Sequence, residues 1–184
     1  TNLAFPPGAA PGLLIDLFTA SAALPDGSVV LAYLVGELES ERAVHLAYVD
    51  EDAQMTRVEA VEGAVVAPGT WLSGPLVELS YTEQGLALFW VTREGEGEAA
   101  RNVRHGKMFG ESSSIDLGEI PHGRAFVDHA SQLWINAVSS SGDAVTPTRW
   151  SGTGWEAVSG GPVATAEPDT LAFDQANRPI VSVR

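Results

Sequence analysis

Four short apolar runs recur along the chain at nearly constant spacing, and this recurrence limits the fold more than any other feature. VVLAYLV (29–35), LALFWVT (86–92), LWINAVS (133–139) and PIVSV (179–183) start 57, 47 and 46 residues apart. Each follows a half-apolar stretch and a turn: ASAALPDGS, VELSYTEQG, AFVDHASQ and LAFDQANR. The last two turns match in detail, with Asp128 and Asp174 at one repeat position, 46 residues apart. A third stretch follows in AVHLAYVD (43–50), ARNVRHGK (100–107) and AVTPTRWSG (144–152), and a fourth in MTRVEAV (55–61), SSSIDLGEI (112–120) and TGWEAVSGG (153–161). Short runs rich in Val, Tyr, Trp and Phe, bounded by Gly, Asp and Ser, predict strands. No segment carries a helical period. PGLLIDLFTASAAL (11–24) comes nearest, but Pro11 and Gly12 before it and PDG after it suit a strand and turn equally well.

The repeating unit is thus four strands in about 45 residues, the pattern of a β-propeller blade. The second strand of each unit is apolar on both faces, as a strand covered on both sides should be, and the third and fourth carry more polar residues. An immunoglobulin-like sandwich is the rival. It predicts no four-strand recurrence, and its usual cysteine pair is missing. The expected fold is all-β: a propeller segment of about three and a half four-stranded antiparallel blades in one partial domain. The blades cover approximately 13–62, 74–120, 123–161 and 168–184, the last incomplete, and 1–12 form an N-terminal strand or linker. Asn2 to Phe5 of that linker would close the ring against Pro179 to Val183, or another polypeptide would complete it, as a second copy or the rest of a cleaved precursor. The second solution is preferred, since two arcs of about three and a half blades make a common ring size and the start and stop both fall inside blades, whose exposed edges would otherwise aggregate.

LAFDQANRPIVSVR and RWSGTGWEAVSGG resemble the blade-start and blade-end phrases of bacterial β-propeller repeats of the broad kelch-, tachylectin- and sialidase-like kind. The phrase is clean once, in residues 149–180, and degraded in the earlier units. The resemblance implies architecture only, because propellers host many unrelated activities.

Composition narrows the partners. Twenty-four acidic residues against ten basic ones give a net charge of −14. Nucleic acid and anionic membranes need a positive face, so neither is expected as a partner. No apolar run approaches the ~18 residues of a membrane helix, so no membrane insertion is expected. There are no cysteines, hence no disulfide, thiolate metal site or cysteine nucleophile. The chain opens on Thr1 without a signal-peptide pattern, as expected of a processed or excised chain.

Few residues stand out as chemical. Glu37, Glu39 and Glu41 lie in the loop after the second strand of the first unit, and Glu94, Glu96 and Glu98 lie 57 residues on, in the same loop of the second. They would form an acidic rim for a hard cation or a basic partner, or simply two solvated hairpin tips. The spacing is that of no dedicated calcium loop. No histidine pair has zinc-site spacing, so no metal and no cofactor is expected. His45 sits within a strand. His122, in IPHG, and Trp71, in PGTWLSG, lie in linkers between blades and are the candidate ligand-binding residues. Trp90 and Trp134 belong to the core, and Trp150 and Trp155 should pack across a hairpin. Arg104, Arg124, Arg149 and Arg178 show no triad spacing, and SGTGWEAV lacks the Asp of a sialidase Asp box.

The expected function is a non-enzymatic binding or scaffolding module, extracellular or periplasmic, engaging a protein or glycan through one rim. A glycan-active hydrolase or lyase with residues from several blades is one alternative. A structural subunit of a larger extracellular assembly is the other.

Overall fold

The structure, a computed structural model, describes residues 20–37, 39–68, 70, 76–110, 113–139, 144–158, 163–164 and 166–183. It is all-β, with four antiparallel sheets following one another along the chain. The first consists of β1 (Ala20–Ala23), β2 (Val29–Val35), β3 (Arg42–Val49) and β4 (Met55–Val66), and the second of β5 (Val77–Thr82), β6 (Gly85–Glu94), β7 (Arg101–Phe109) and β8 (Ser114–Ile120). The third contains β9 (Gly123–Val127), β10 (Leu133–Val138), β11 (Ala144–Trp150) and β12 (Trp155–Ala157), with a short β13 (Val163–Ala164) also on β11. The fourth has β14 (Ala166–Phe173) and β15 (Pro179–Val183). Strands pair in chain order, so the sheets are the expected blades, about three and a half of them. The only helical element among the described residues is a 3-10 turn at Gly97–Ala99.

By compactness the chain divides into two units, Thr1–Leu79 with Leu88–His105, and Ser80–Ala87 with Gly106–Arg184. In the first, Val30, Ala32 and Leu34 of β2, Val44 and Leu46 of β3, and Leu88 and Phe89 of β6 are fully buried. In the second the core is built from Met108, Leu117, Ile120, Trp134, Ile135 and Val145. The second strands are buried residue after residue: Leu86 to Val91 in β6 and Leu133 to Asn136 in β10. Burial without alternation means that both faces are covered, as the continuous apolar runs predict. Each fully buried Leu, Val or Phe contributes roughly 1.5–3 kcal/mol by leaving water.

One turn is used three times. Asp50, Asp128 and Asp174 each accept, through Oδ1, the backbone N–H groups two and four residues ahead. In each the Asp N–H donates to the carbonyl four residues on, and its own carbonyl accepts from the residue three on. That fourth residue is left-handed: Ala53, Ser131 and Asn177 have φ of 60°, 54° and 59°. Leu24 to Ser28 make the same backbone bonds with Gly27 at the left-handed position. This is a hairpin turn closed by one residue of positive φ, a place where glycine is unstrained and alanine is not. Ala53 is exposed and paired to nothing that a glycine would lose. Ala53→Gly is therefore expected to stabilise the chain by up to about 1 kcal/mol, less the extra chain entropy of glycine, read as a raised urea midpoint.

Two irregularities have local causes. β4 runs to Val66, and its register against β3 shifts between the Ala43 and His45 pairs, where Gly63 at φ +78° takes up the extra residues. The outer edge of β11 is covered in two pieces, with β12 opposite Thr148 to Trp150 and β13 opposite Ala144 and Val145. The Pro147 carbonyl accepts from Val158 N–H, so the face of Pro147 that lacks an N–H points to this same outer side. Proline is tolerated in β11 because its missing donor faces the edge, and the outer ladder loses a bond there.

Candidate functional site

The best-formed polar constellation lies at the Leu133 end of the third sheet, where the turn after β9 meets the turn after β14. Asp128 is 6% exposed, and its carboxylate accepts four hydrogen bonds. Oδ1 takes the Ala130 and Gln132 N–H groups at 2.9 Å each, and Oδ2 takes the Trp134 indole N–H at 2.8 Å and the Asn177 side-chain amide at 2.9 Å. Burial pushes the carboxyl up. The N–H of Gln132, the indole, the Asn177 amide and the N–H of Ala130 outweigh that and hold it below the usual carboxylate range. Asn177 returns its oxygen to the His129 N–H at 3.2 Å, so one side chain clamps the fourth sheet onto the third. Phe173 completes the joint, with its ring centroid 5.2 Å from Trp134 and 6.5 Å from His129.

Two clefts flank this end of the third sheet. One, of about 250 Å³, is lined by Glu83 and Gln84 of the turn after β5, Ser131 and Gln132 of the turn after β9, and Arg149 and Trp150 of β11, among others. The other, of about 360 Å³, lies towards the fourth sheet and is lined by Gln132, Trp134, Arg149, Glu156 and Asn177, among others. Gln132 and Arg149 belong to both. Arg149 sits opposite Trp134 on β10 and Glu156 on β12, with its guanidinium carbon 5.9 Å from the Trp134 ring centroid. Trp150 and Trp155 pack on each other at 5.3 Å, as expected, and the Trp155 indole donates to the Leu117 carbonyl of β8 at 3.4 Å.

No described residue among the candidate ligand-binding and acidic-rim residues lines these clefts. Trp71 lies outside the described residues, as does the Asn2 to Phe5 strand. His122 is exposed just before β9, where its carbonyl accepts from Val138 N–H at 2.7 Å, at the far end of β10 from Leu133. The six glutamates are exposed, and all but Glu94 lie in the loops after the second strands, as placed from the sequence. Glu94 is the last residue of β6 and faces Arg101 at 3.8 Å and His105 at 3.1 Å. Among the described residues no group of three or more His, Asp or Glu is gathered as a metal site. His45 is structural: it pairs across the sheet with Tyr33 at 5.8 Å between rings, and burial lowers its pKa. His105 repeats the arrangement on Trp90 at 5.7 Å. Of the four arginines, Arg104 faces Glu78, Arg124 is exposed on β9, Arg178 pairs with Asp174 at 2.7 Å, and Arg149 alone lines both clefts.

No family model matches the chain, and no curated protein or solved structure is similar enough to count as a match.

Proposed function

We propose that the chain is a non-enzymatic binding or scaffolding module of the β-propeller repeat kind, which engages a protein or glycan through one rim and is completed by strands of another polypeptide, a second copy being the simplest. The observation that carries the assembly is Ile180. It stands 46 residues after Trp134, at the same place in its blade. Trp134 is 3% exposed because Phe173 of the next sheet lies on it, whereas Ile180 is 52% exposed. Among the described residues β15 pairs only with β14, so one of its edges carries no strand and the exposed Ile180 stands beside it. An edge of that kind accepts a further strand through main-chain hydrogen bonds.

Light scattering and hydrogen exchange test the assembly. The expected result is a mass above the 19.3 kDa of one chain, with protection of the outward-facing Val181 amide that falls on dilution, and a shift to monomer in Ile180→Lys. A monomer whose Val181 amide stays protected at every concentration would instead place a strand of the same chain on that edge and defeat the proposal.

A further inference from the structure

Arg149 and Glu156 stand directly opposite each other on β11 and β12, so they share one face of the third sheet. Opposite charges placed in this way ordinarily pair across the strands. These two do not. Arg149 is half-buried and drawn towards β10, with its guanidinium carbon 5.9 Å from the Trp134 ring centroid. Neither it nor the exposed Glu156 forms an ion pair or hydrogen bond among the described residues. A guanidinium partly removed from water keeps five N–H donors that need acceptors, and the ring beside it satisfies none of them. The same face opens into the cleft of about 360 Å³ between the third and fourth sheets. Val158 continues the Glu156 side of that cleft, since its N–H bonds Pro147, two residues before Arg149. Pro179 lines it from β15. Pro179 is opposite Phe173, whose ring lies on Trp134, so its face is the one turned to the third sheet, while Ile180 points the other way.

We propose that the cleft of Trp134, Arg149, Glu156, Val158 and Pro179 binds a free α-amino acid with an apolar side chain. Arg149 takes the carboxylate through its planar fork, which fits two oxygens at once. Glu156, beside it in the same cross-strand row, accepts from the ammonium. The two charges of an α-amino acid are carried by one carbon atom, and directly opposed residues of an antiparallel pair hold their side chains about 5 Å apart at the base. One ligand therefore meets both groups at once and closes the pair that the strands leave open. Charge selects against simpler ions: an anion without an ammonium is opposed by Glu156, and a cation without a carboxylate by Arg149. The hydrocarbon part lies against Val158 and Pro179. The cleft volume equals the liquid volume of roughly twelve water molecules, enough for one amino acid with a branched side chain. This site goes beyond the protein-or-glycan reading, and a negative titration would leave the β15 assembly untouched because that is read by mass and hydrogen exchange.

Titration calorimetry of the full chain with leucine, glycine, leucinamide and N-acetylleucine tests the assignment. Leucine is expected to bind in the range of about 0.1–1 mM. Leucinamide lacks the carboxylate and N-acetylleucine the ammonium, so each is expected to bind at least about tenfold more weakly. Leucinamide also stands for the amino end of a peptide and N-acetylleucine for its carboxyl end, which separates a free amino acid from a chain terminus. Glycine, without the apolar part, is expected to be weaker by severalfold or more. Each variant should erase one preference. Arg149→Gln is expected to remove the advantage of leucine over leucinamide, and Glu156→Gln its advantage over N-acetylleucine. Glu156 is exposed, so Glu156→Gln should melt as the wild type does, and the test stands even if Arg149→Gln does not fold. The proposal is overturned if the wild type gives no leucine heat at about 10 mM. It is overturned equally if glycine or either blocked form binds as well as leucine, or if Glu156→Gln keeps the full preference over N-acetylleucine.

Discussion

Replacing Asp128 by alanine is expected to cost about 3–5 kcal/mol, a large share of what a domain of this size has to lose. The change removes one acceptor group that serves four donors. The Ala130 and Gln132 N–H groups belong to a surface turn and can turn to water, but the indole of Trp134, 3% exposed, and the amide of Asn177 lose their acceptor. Each buried donor without a partner costs about 1–3 kcal/mol, and loosening Asn177 also frees the clamp between the third and fourth sheets. Asp128→Asn should fall between wild type and alanine: one oxygen still closes the turn, while its NH₂ group meets two donors. Asp174→Ala is the internal control. It removes the same turn, but the outer oxygen of Asp174 is taken by the exposed Arg178 of its own hairpin, so the change should be far smaller.

The same carboxylate predicts a pH dependence with a fixed sign. The native pKa of Asp128 lies below its unfolded value near 3.9, so its contribution is complete above that value and is lost as pH falls through the lowered native pKa. The stability gap between wild type and Asp128→Asn in urea should thus be full at neutral pH and close on acidification. A gap that stayed constant to the lowest pH at which both fold would show that the carboxylate is not held in this way.

Asp128 also shows where the sequence stops being informative. Its equivalence with Asp174 is visible as a 46-residue spacing, and both residues do open the same turn. That spacing says nothing of Asn177 reaching back to Asp128, because equivalence along the chain is not contact in space. Asp50 forms the same turn but lies between third and fourth strands, off the register of the comparison, and so its match is hidden. The second strands, by contrast, were legible almost to the residue. Burial on both faces leaves no room for polar alternation, and the apolar runs at 29, 133 and 179 begin where β2, β10 and β15 begin. The acidic loops were placed correctly between strands, but Glu94 turned out to belong to β6, since its charge is met across the hairpin by Arg101 and His105. Arg149 was one arginine among several with unremarkable spacing. What sets it apart is the lack of a partner in the fold, and no linear pattern encodes that.

Arg104 was equally anonymous in the sequence, and its burial leads to the other large effect. Glu78→Leu is expected to destabilise the chain by about 3–5 kcal/mol, because Arg104 is 5% exposed and the change removes the carboxylate that faces it. The two residues sit on β5 and β7, either side of β6, and the guanidinium carbon lies 5.0 Å from the centroid of Phe89 on the strand between them. Burial pushes the arginine pKa down and Glu78 pulls it back, but an arginine does not give up its proton at any working pH, so the charge must be carried. Removing both members is another matter. In Glu78→Leu with Arg104→Met the two charges are replaced by apolar groups of similar volume over Phe89, and no desolvated charge remains. The double variant should therefore lose less stability than Glu78→Leu alone, giving a coupling of about 2 kcal/mol or more in a double-mutant cycle of urea midpoints. Additive losses would mean that the pair is solvated in practice.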